Sequence, residues 1–280
     1  MRIDAHHHLW RYTPEEFGWI DDSMAALRRD FLPTDLKREM QSANIDATIA
    51  VQARQTLEET RFLLDCAKQT PAIQAVVGWA PIADPTFPTT LETLQHNPLL
   101  KGLRHVVQAE PDGFLDADSF NRGISALRPA NLVYDILIFA RQLPEAIRFV
   151  DRHPSQQFVL DHIAKPEIAD NNFAAWATPF RELARRENVS CKLSGMVTEA
   201  NWQTWTPTTL QPYIDTALEA FTPARLMAGS DWPVLTVAST YQRWWQTLDT
   251  FLAPLTPTDR AAIEAQTAAR IYHLPTKEPA

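Results

Sequence analysis

The chain has 280 residues, a formal charge of −8, 45% hydrophobic residues and only two cysteines. The length suits one barrel of alternating strands and helices, for which about 250 residues is usual, and the acidic balance without a basic cluster argues against a nucleic-acid partner. Cys66 and Cys191 lack metal-type spacing, and no stretch approaches the roughly 20 apolar residues of a membrane span, so the expectation is a soluble, cytoplasmic protein with no membrane partner.

Apolar, β-branched runs alternate with amphipathic stretches along the chain and predict about eight βα units. The predicted strands lie at 2–8, 47–52, 74–80, 102–107, 132–139, 157–163, 189–194 and 225–230. Several are apolar on both faces, as buried parallel strands are. Helical periodicity is predicted at 33–42, 58–69, 143–152, 173–186 and 208–221, with two more helices at 240–252 and 258–271. The 21 prolines outnumber the 7 glycines and punctuate strand exits and helix starts. Residues 277–280 are expected to fray. With no internal repeat or linker, residues 1–280 read as a single domain.

In the first predicted strand His6 and His8 project to one side and His7 to the other. If the strand belongs to a parallel barrel, both rings sit at its C-terminal mouth, where barrel active sites are built. The other strand ends supply Gln52, Trp79, Arg104 and His105, Asp161 and His162, Lys192, and Asp231. First and last strands are neighbours in a closed barrel, so His6, His8 and Asp231 can meet, with His162 completing the group. Asp231 closes an apolar strand between Ser230 and Trp232-Pro233, which suits a buried carboxylate that takes a proton from water. Strand parity lets only one of Asp161 and His162 face inward, and His162 is the choice. Asp161 is then a structural partner of a neighbouring element. Parity likewise admits one of Arg104 and His105 and leaves open which. Lys192 reads as a buried-stem lysine whose ammonium reaches solvent, and Trp79 and Trp232 as a sugar-stacking wall.

Taken together, Ile3-Asp4-Ala5-His6-His7-His8, Val77-Gly78-Trp79, Lys101-Gly102-Leu103-Arg104-His105, Leu160-Asp161-His162-Ile163-Ala164-Lys165-Pro166 and Gly229-Ser230-Asp231-Trp232-Pro233 resemble the amidohydrolase superfamily, in its sugar lactonase branch. The resemblance implies an α/β fold, a distorted (β/α)8 TIM-type barrel. His6 and His8 match its strand-1 histidines, His162 its strand-6 histidine and Asp231 its strand-8 aspartate. It also implies hydrolysis of a small-molecule sugar lactone, with Asp231 as general base and His162, His6 and His8 at the carbonyl. Arg104 or His105 would steady the oxyanion, and Gln52, Trp79, Lys165 and Trp232 would hold the sugar. Two-metal members carry a bridging carboxylated lysine or glutamate on a middle strand, whereas this chain has Arg104-His105 there. One optional divalent ion such as zinc on His6, His8, His162 and Asp231, not strictly required, is the expectation. A zinc-dependent amidohydrolase or decarboxylase and a non-catalytic carbohydrate-acid binding barrel are the competing readings.

Overall fold

The computed structural model describes residues 1–275, so the expected fraying of 277–280 lies outside the described residues. Eight parallel strands form one sheet in sequential order: β1 (Ile3–His7), β2 (Ala47–Val51), β3 (Ile73–Gly78), β4 (Leu100–Val106), β5 (Val133–Leu137), β6 (Phe158–Leu160), β7 (Val189–Leu193) and β8 (Leu226–Ala228). Just beyond β8 the chain returns to β1. Asp231 N–H donates to the His6 carbonyl at 2.8 Å and His8 N–H to the Trp232 carbonyl at 2.6 Å. This closes the barrel, and all eight predicted strands are present.

Between the strands run α1 (Pro33–Ala43), α2 (Leu57–Gln69), α3 (Phe87–Leu94), α4 (Asp118–Ile124), α5 (Leu143–Arg152), α6 (Phe173–Ala184) and α7 (Pro207–Phe221). Their starts follow local chemistry. Proline occupies the first turn of α1 and α7, where its missing N–H costs nothing. Thr56 caps α2 by accepting from Glu59 N–H, while Glu58 and Glu59 face the positive end of the helix dipole and Lys68 the negative end. In α5 the buried Leu143, Ala146, Phe149 and Val150 recur at three- and four-residue spacing and form the face laid on the sheet. Among the described residues no helix is long and apolar enough to cross a membrane.

After β8 come α8 (Tyr241–Leu252) and, in place of one helix over 258–271, three turns of different pitch: α9 (Pro257–Ala261), a π segment (Ala262–Gln266) and α10 (Thr267–Ile271). Ala265, Ala268, Ala269 and Tyr272 pack with Ile3, Ala47, Val133 and Met227. Ile3, Ala47 and Val133 start their strands, so the C-terminal segment fills the floor of the barrel. The small alanines allow its backbone to approach the sheet closely.

One irregularity matters for the site. In the β1–β2 pairing Asp4 faces Thr48 and His7 faces Ala50, so β1 holds one extra residue. Such a bulge reverses strand parity locally. Ile3 and Ala5 belong to the barrel interior, yet beyond the bulge His6 and His8 also face inward. Asp4 instead faces outward, where it accepts from Ser230 Oγ at 2.6 Å, Ser230 N–H at 2.8 Å and Tyr241 OH at 2.9 Å. This clasp fixes the β8 exit and with it the backbone of Asp231.

Candidate active site

At the C-terminal mouth of the barrel lies a cavity of about 640 Å³ whose lining includes His8, Arg104, His162, Lys165 and Asp231. Asp231 is buried in a left-handed conformation with φ of 61°. Its Oδ1 lies 3.2 Å from His8 Nε2, 3.7 Å from His6 Nε2 and 3.8 Å from His162 Nε2. Burial works against ionisation, but His162 and His6 outweigh it and hold the Asp231 carboxyl below the usual carboxylate range. It is therefore ionised at neutral pH.

Partners assign the imidazole protons. His8 Nδ1 lies 2.7 Å from the Val51 carbonyl, which only accepts, so Nδ1 carries the proton and Nε2 presents a lone pair. Arg104 Nη1, which only donates, lies 3.3 Å from His6 Nε2, and His6 Nδ1 lies 3.3 Å from Asp161 Oδ1. Lys192 Nζ, which also only donates, lies 3.2 Å from His6 Nδ1, so both His6 nitrogens meet cationic donors. The two Nε2 atoms stand 3.3 Å apart with Asp231 Oδ1 beside them. The His8 Nε2 lone pair facing the Asp231 carboxylate at 3.2 Å calls for a positive charge between them. Ligand atoms on a tetrahedral zinc with bonds of 2.0–2.1 Å would be separated by about 3.3–3.4 Å, close to the 3.2–3.7 Å found here. The donors of His6, His8 and Asp231 fit one divalent ion. A second group, His6, Asp161 and His162, also gathers donor atoms within 4.8 Å of one another. There, however, Asp161 already faces Arg104 Nη1 at 2.9 Å and Lys192 Nζ at 3.0 Å, so cationic side chains supply its charge.

His162 arrives by a different route. β6 ends at Leu160, and residues 162–165 all take positive φ, which swings the ring into the mouth. Its Nδ1 lies 2.8 Å from Ser194 Oγ, and burial above all lowers its pKa to about 4, so the ring is neutral at pH 7. Gly195, with φ of 65°, makes room for that ring: a Cβ there would sit 2.5 Å from His162 Nδ1.

A family profile described as amidohydrolase matches residues 3–274. The chain belongs to the amidohydrolase family. An L-fucono-1,5-lactonase of Burkholderia multivorans is 40% identical across 100% of this chain and 98% of its own length. An L-fucono-1,5-lactonase of Burkholderia ambifaria is 35% identical across 98% of this chain and 96% of its own. A crystal structure of a Burkholderia multivorans amidohydrolase with bound zinc superposes with a TM-score of 0.95 at 40% identity, covering 98% of this chain and 100% of that one.

In this amidohydrolase His6, His8, His162 and Asp231 meet, and Arg104 rather than His105 faces the cavity. Several other expectations are corrected. His105 is held away from the cavity: its Nε2 donates to Glu110 at 2.8 Å, its Nδ1 accepts from Trp79 Nε1 at 3.3 Å, and its ring stacks on Phe114. Trp79 is thereby tied to His105 and does not line the cavity. Trp232 is buried edge-on against Phe31, so no sugar-stacking wall forms from these two indoles. Gln52 is fully buried and clamps Arg104, accepting from Nη2 at both its Oε1 (2.9 Å) and its backbone carbonyl. It positions the guanidinium instead of meeting a substrate. Lys165 does line the cavity, 3.5 Å from Glu199 Oε1.

Asp161 also faces inward, because His162 lies beyond the end of the strand and parity no longer sets them against each other. Lys192 is fully buried and does not reach solvent. Its Nζ contacts Asp135 Oδ2 at 2.5 Å and Asp161 Oδ1 at 3.0 Å, and Tyr272 OH donates to Asp135. Asp4, Asp135, Ser194 and Tyr272 were not singled out by the sequence. Asp135 was readable as the one charge inside an apolar strand.

Proposed function

We propose that this amidohydrolase opens the ring of a neutral, hydroxyl-rich sugar lactone to the sugar acid, with L-fucono-1,5-lactone the first substrate to test. The observation that carries the reading is an ionised Asp231 ringed by three imidazoles at the base of a cavity wide enough for one sugar. Full-length likeness to two L-fucono-1,5-lactonases supports the same chemistry. The cations at the mouth are already matched: Lys165 by Glu199, Arg54 by Glu16 and Glu59, Arg104 by Asp161. That leaves little surplus positive charge for a dicarboxylate and suits a neutral substrate.

Water attacks the lactone carbonyl as Asp231 accepts its proton. Ser194 can donate its hydroxyl proton to His162 Nδ1, which leaves Nε2–H as the donor facing the cavity. That N–H, with the Arg104 guanidinium nearby, stabilises the oxyanion of the tetrahedral intermediate; preorganised donors of this kind contribute about 3–4 kcal/mol. The ring C–O bond then breaks, and the alkoxide takes the proton back from Asp231. A carboxyl held this low is a weak base but a ready acid on the return. The balance favours an activated ester over an amide, whose leaving nitrogen demands more. A divalent ion held by His6, His8 and Asp231 would add Lewis-acid polarisation at the same place.

The test is acid release from L-fucono-, L-rhamnono-, L-galactono- and D-arabinono-lactones beside pyrone dicarboxylates and simple amides. Turnover of one or more aldonolactones is expected. Turnover confined to amides or dicarboxylates would overturn the reading.

A further inference from the structure

With Trp79, Trp232, Gln52 and His105 turned away from the cavity, Lys165 alone of the expected sugar-holding residues remains on its wall. The loops after β1, β2 and β4 offer three: Trp19, Gln55 and Gln108 all line the cavity. Trp19 is 42% exposed, and only it and Met1 are exposed large hydrophobic residues among the described positions. The indole is not loose. It rests edge-on against the buried Trp10, with ring centroids 6.1 Å apart at 87°, and Trp10 is itself packed between Phe17 and Phe31. An aromatic face turned to the cavity is suited to the C–H face of a sugar ring.

Gln108 supplies an independent observation. Its Oε1 is buried and has no hydrogen-bond partner. An acceptor without a donor burdens the free protein, and a turn of this side chain toward the cavity it lines would let a ligand hydroxyl relieve it. Gln55 is pinned at one end only: its Oε1 accepts from Val106 N–H at 2.8 Å, which leaves the Nε2 donor available. The rim thus carries two amide side chains and an apolar face. A polyhydroxylated ring with one C–H face offers the complement.

We propose that Trp19, Gln55 and Gln108 form the sugar-recognition subsite, in which Trp19 stacks on the ring and Gln108 Oε1 accepts from a ring hydroxyl. The subsite rests on the lactonase reading for its substrate but not for its binding chemistry. It distinguishes hydroxylated lactones from plain ones, and the Asp231 cluster performs the bond cleavage.

The experiment compares L-fucono-1,5-lactone with the hydroxyl-free six-membered lactone δ-valerolactone, and measures L-fuconate binding by calorimetry. Gln108→Met keeps the side-chain length and removes the acceptor. It should lower kcat/KM for the sugar lactone by roughly tenfold or more beyond any loss on the plain lactone. Trp19→Ala should raise KM for the sugar lactone with a smaller change in kcat, and Trp19→Phe should recover most of the loss, as stacking requires. Both Gln108→Met and Trp19→Ala should weaken L-fuconate binding. Equal losses on the two lactones, or unaltered KM and L-fuconate affinity, would overturn the subsite while leaving the lactonase reading in place. If the wild type opens no lactone yet binds L-fuconate through these residues, the subsite stands and the lactonase reading falls. Absence of both turnover and binding overturns both.

Discussion

Gly195→Ala tests whether His162 acts where the geometry places it. The added Cβ would stand 2.5 Å from His162 Nδ1 and 2.6 Å from Cγ. Carbon contacts settle near 3.5 Å, so the ring must retreat by about 1 Å. The backbone keeps φ near 65°, which costs a non-glycine residue about 1–2 kcal/mol, a loss that a barrel of this size tolerates. The functional effect is larger. A 1 Å misplacement of a positioned group costs on the order of a hundredfold in rate, equivalent to about 2.7 kcal/mol of barrier. The assay is kcat for acid release from L-fucono-1,5-lactone, with circular dichroism to confirm the fold. The same substitution in a His162→Asn background should add little, since the two act through one ring. A folded Gly195→Ala enzyme with kcat within about twofold of wild type would refute the placement. So would an undiminished further loss in the His162→Asn background.

Removal of metal by exhaustive chelation should leave more than about a tenth of the lactonase rate, because the lactone is already activated and Asp231 with His162 supplies proton transfer and oxyanion donation; complete loss restored by stoichiometric zinc would make the ion essential. His7 is buried with its pKa lowered to about 3, above all by burial. Its folded value lies below the unfolded value of about 6.5, so its contribution is complete above pH 6.5 and is lost as pH falls toward 3. By pH 4.5 the loss is about 3 kcal/mol; urea unfolding of His7→Gln should show a correspondingly shallower acid decline, and an identical decline would count against this assignment. Arg104→Met should destabilise the fold by about 3–5 kcal/mol, since it strips the buried Asp161 of a partner at 2.9 Å; a change below about 1 kcal/mol in urea unfolding would show that Lys192 compensates alone.

The barrel was legible because its strands are short apolar runs with caps and prolines between them. The segments that escaped notice, α3 and α4, are eight- and seven-residue helices, with Pro88 in the first turn of α3 and Gly123 in the last turn of α4, too short for a clear period. The metal-capable cluster was legible for a related reason: His6 and His8 lie at the end of the first apolar strand and Asp231 just beyond the last. Parity failed where the backbone departs from a regular strand. The bulge in β1 turned Asp4 outward, and the early end of β6 brought both Asp161 and His162 inward. The cavity-lining Trp19, Gln55 and Gln108 escaped because loops carry them, and no strand rule says that Trp19 turns to the cavity while Trp232 is buried.

In the proposed reaction Asp231 is the proton acceptor that opens the sugar lactone. The most direct test of this role is the rate of acid release from L-fucono-1,5-lactone by wild type and Asp231→Asn, each corrected for spontaneous opening. The amide preserves shape but cannot take a proton from water, so the variant should fold and lose roughly a thousandfold or more in kcat. No turnover by wild type, or more than about a tenth of its rate retained by a folded Asp231→Asn, would contradict this role.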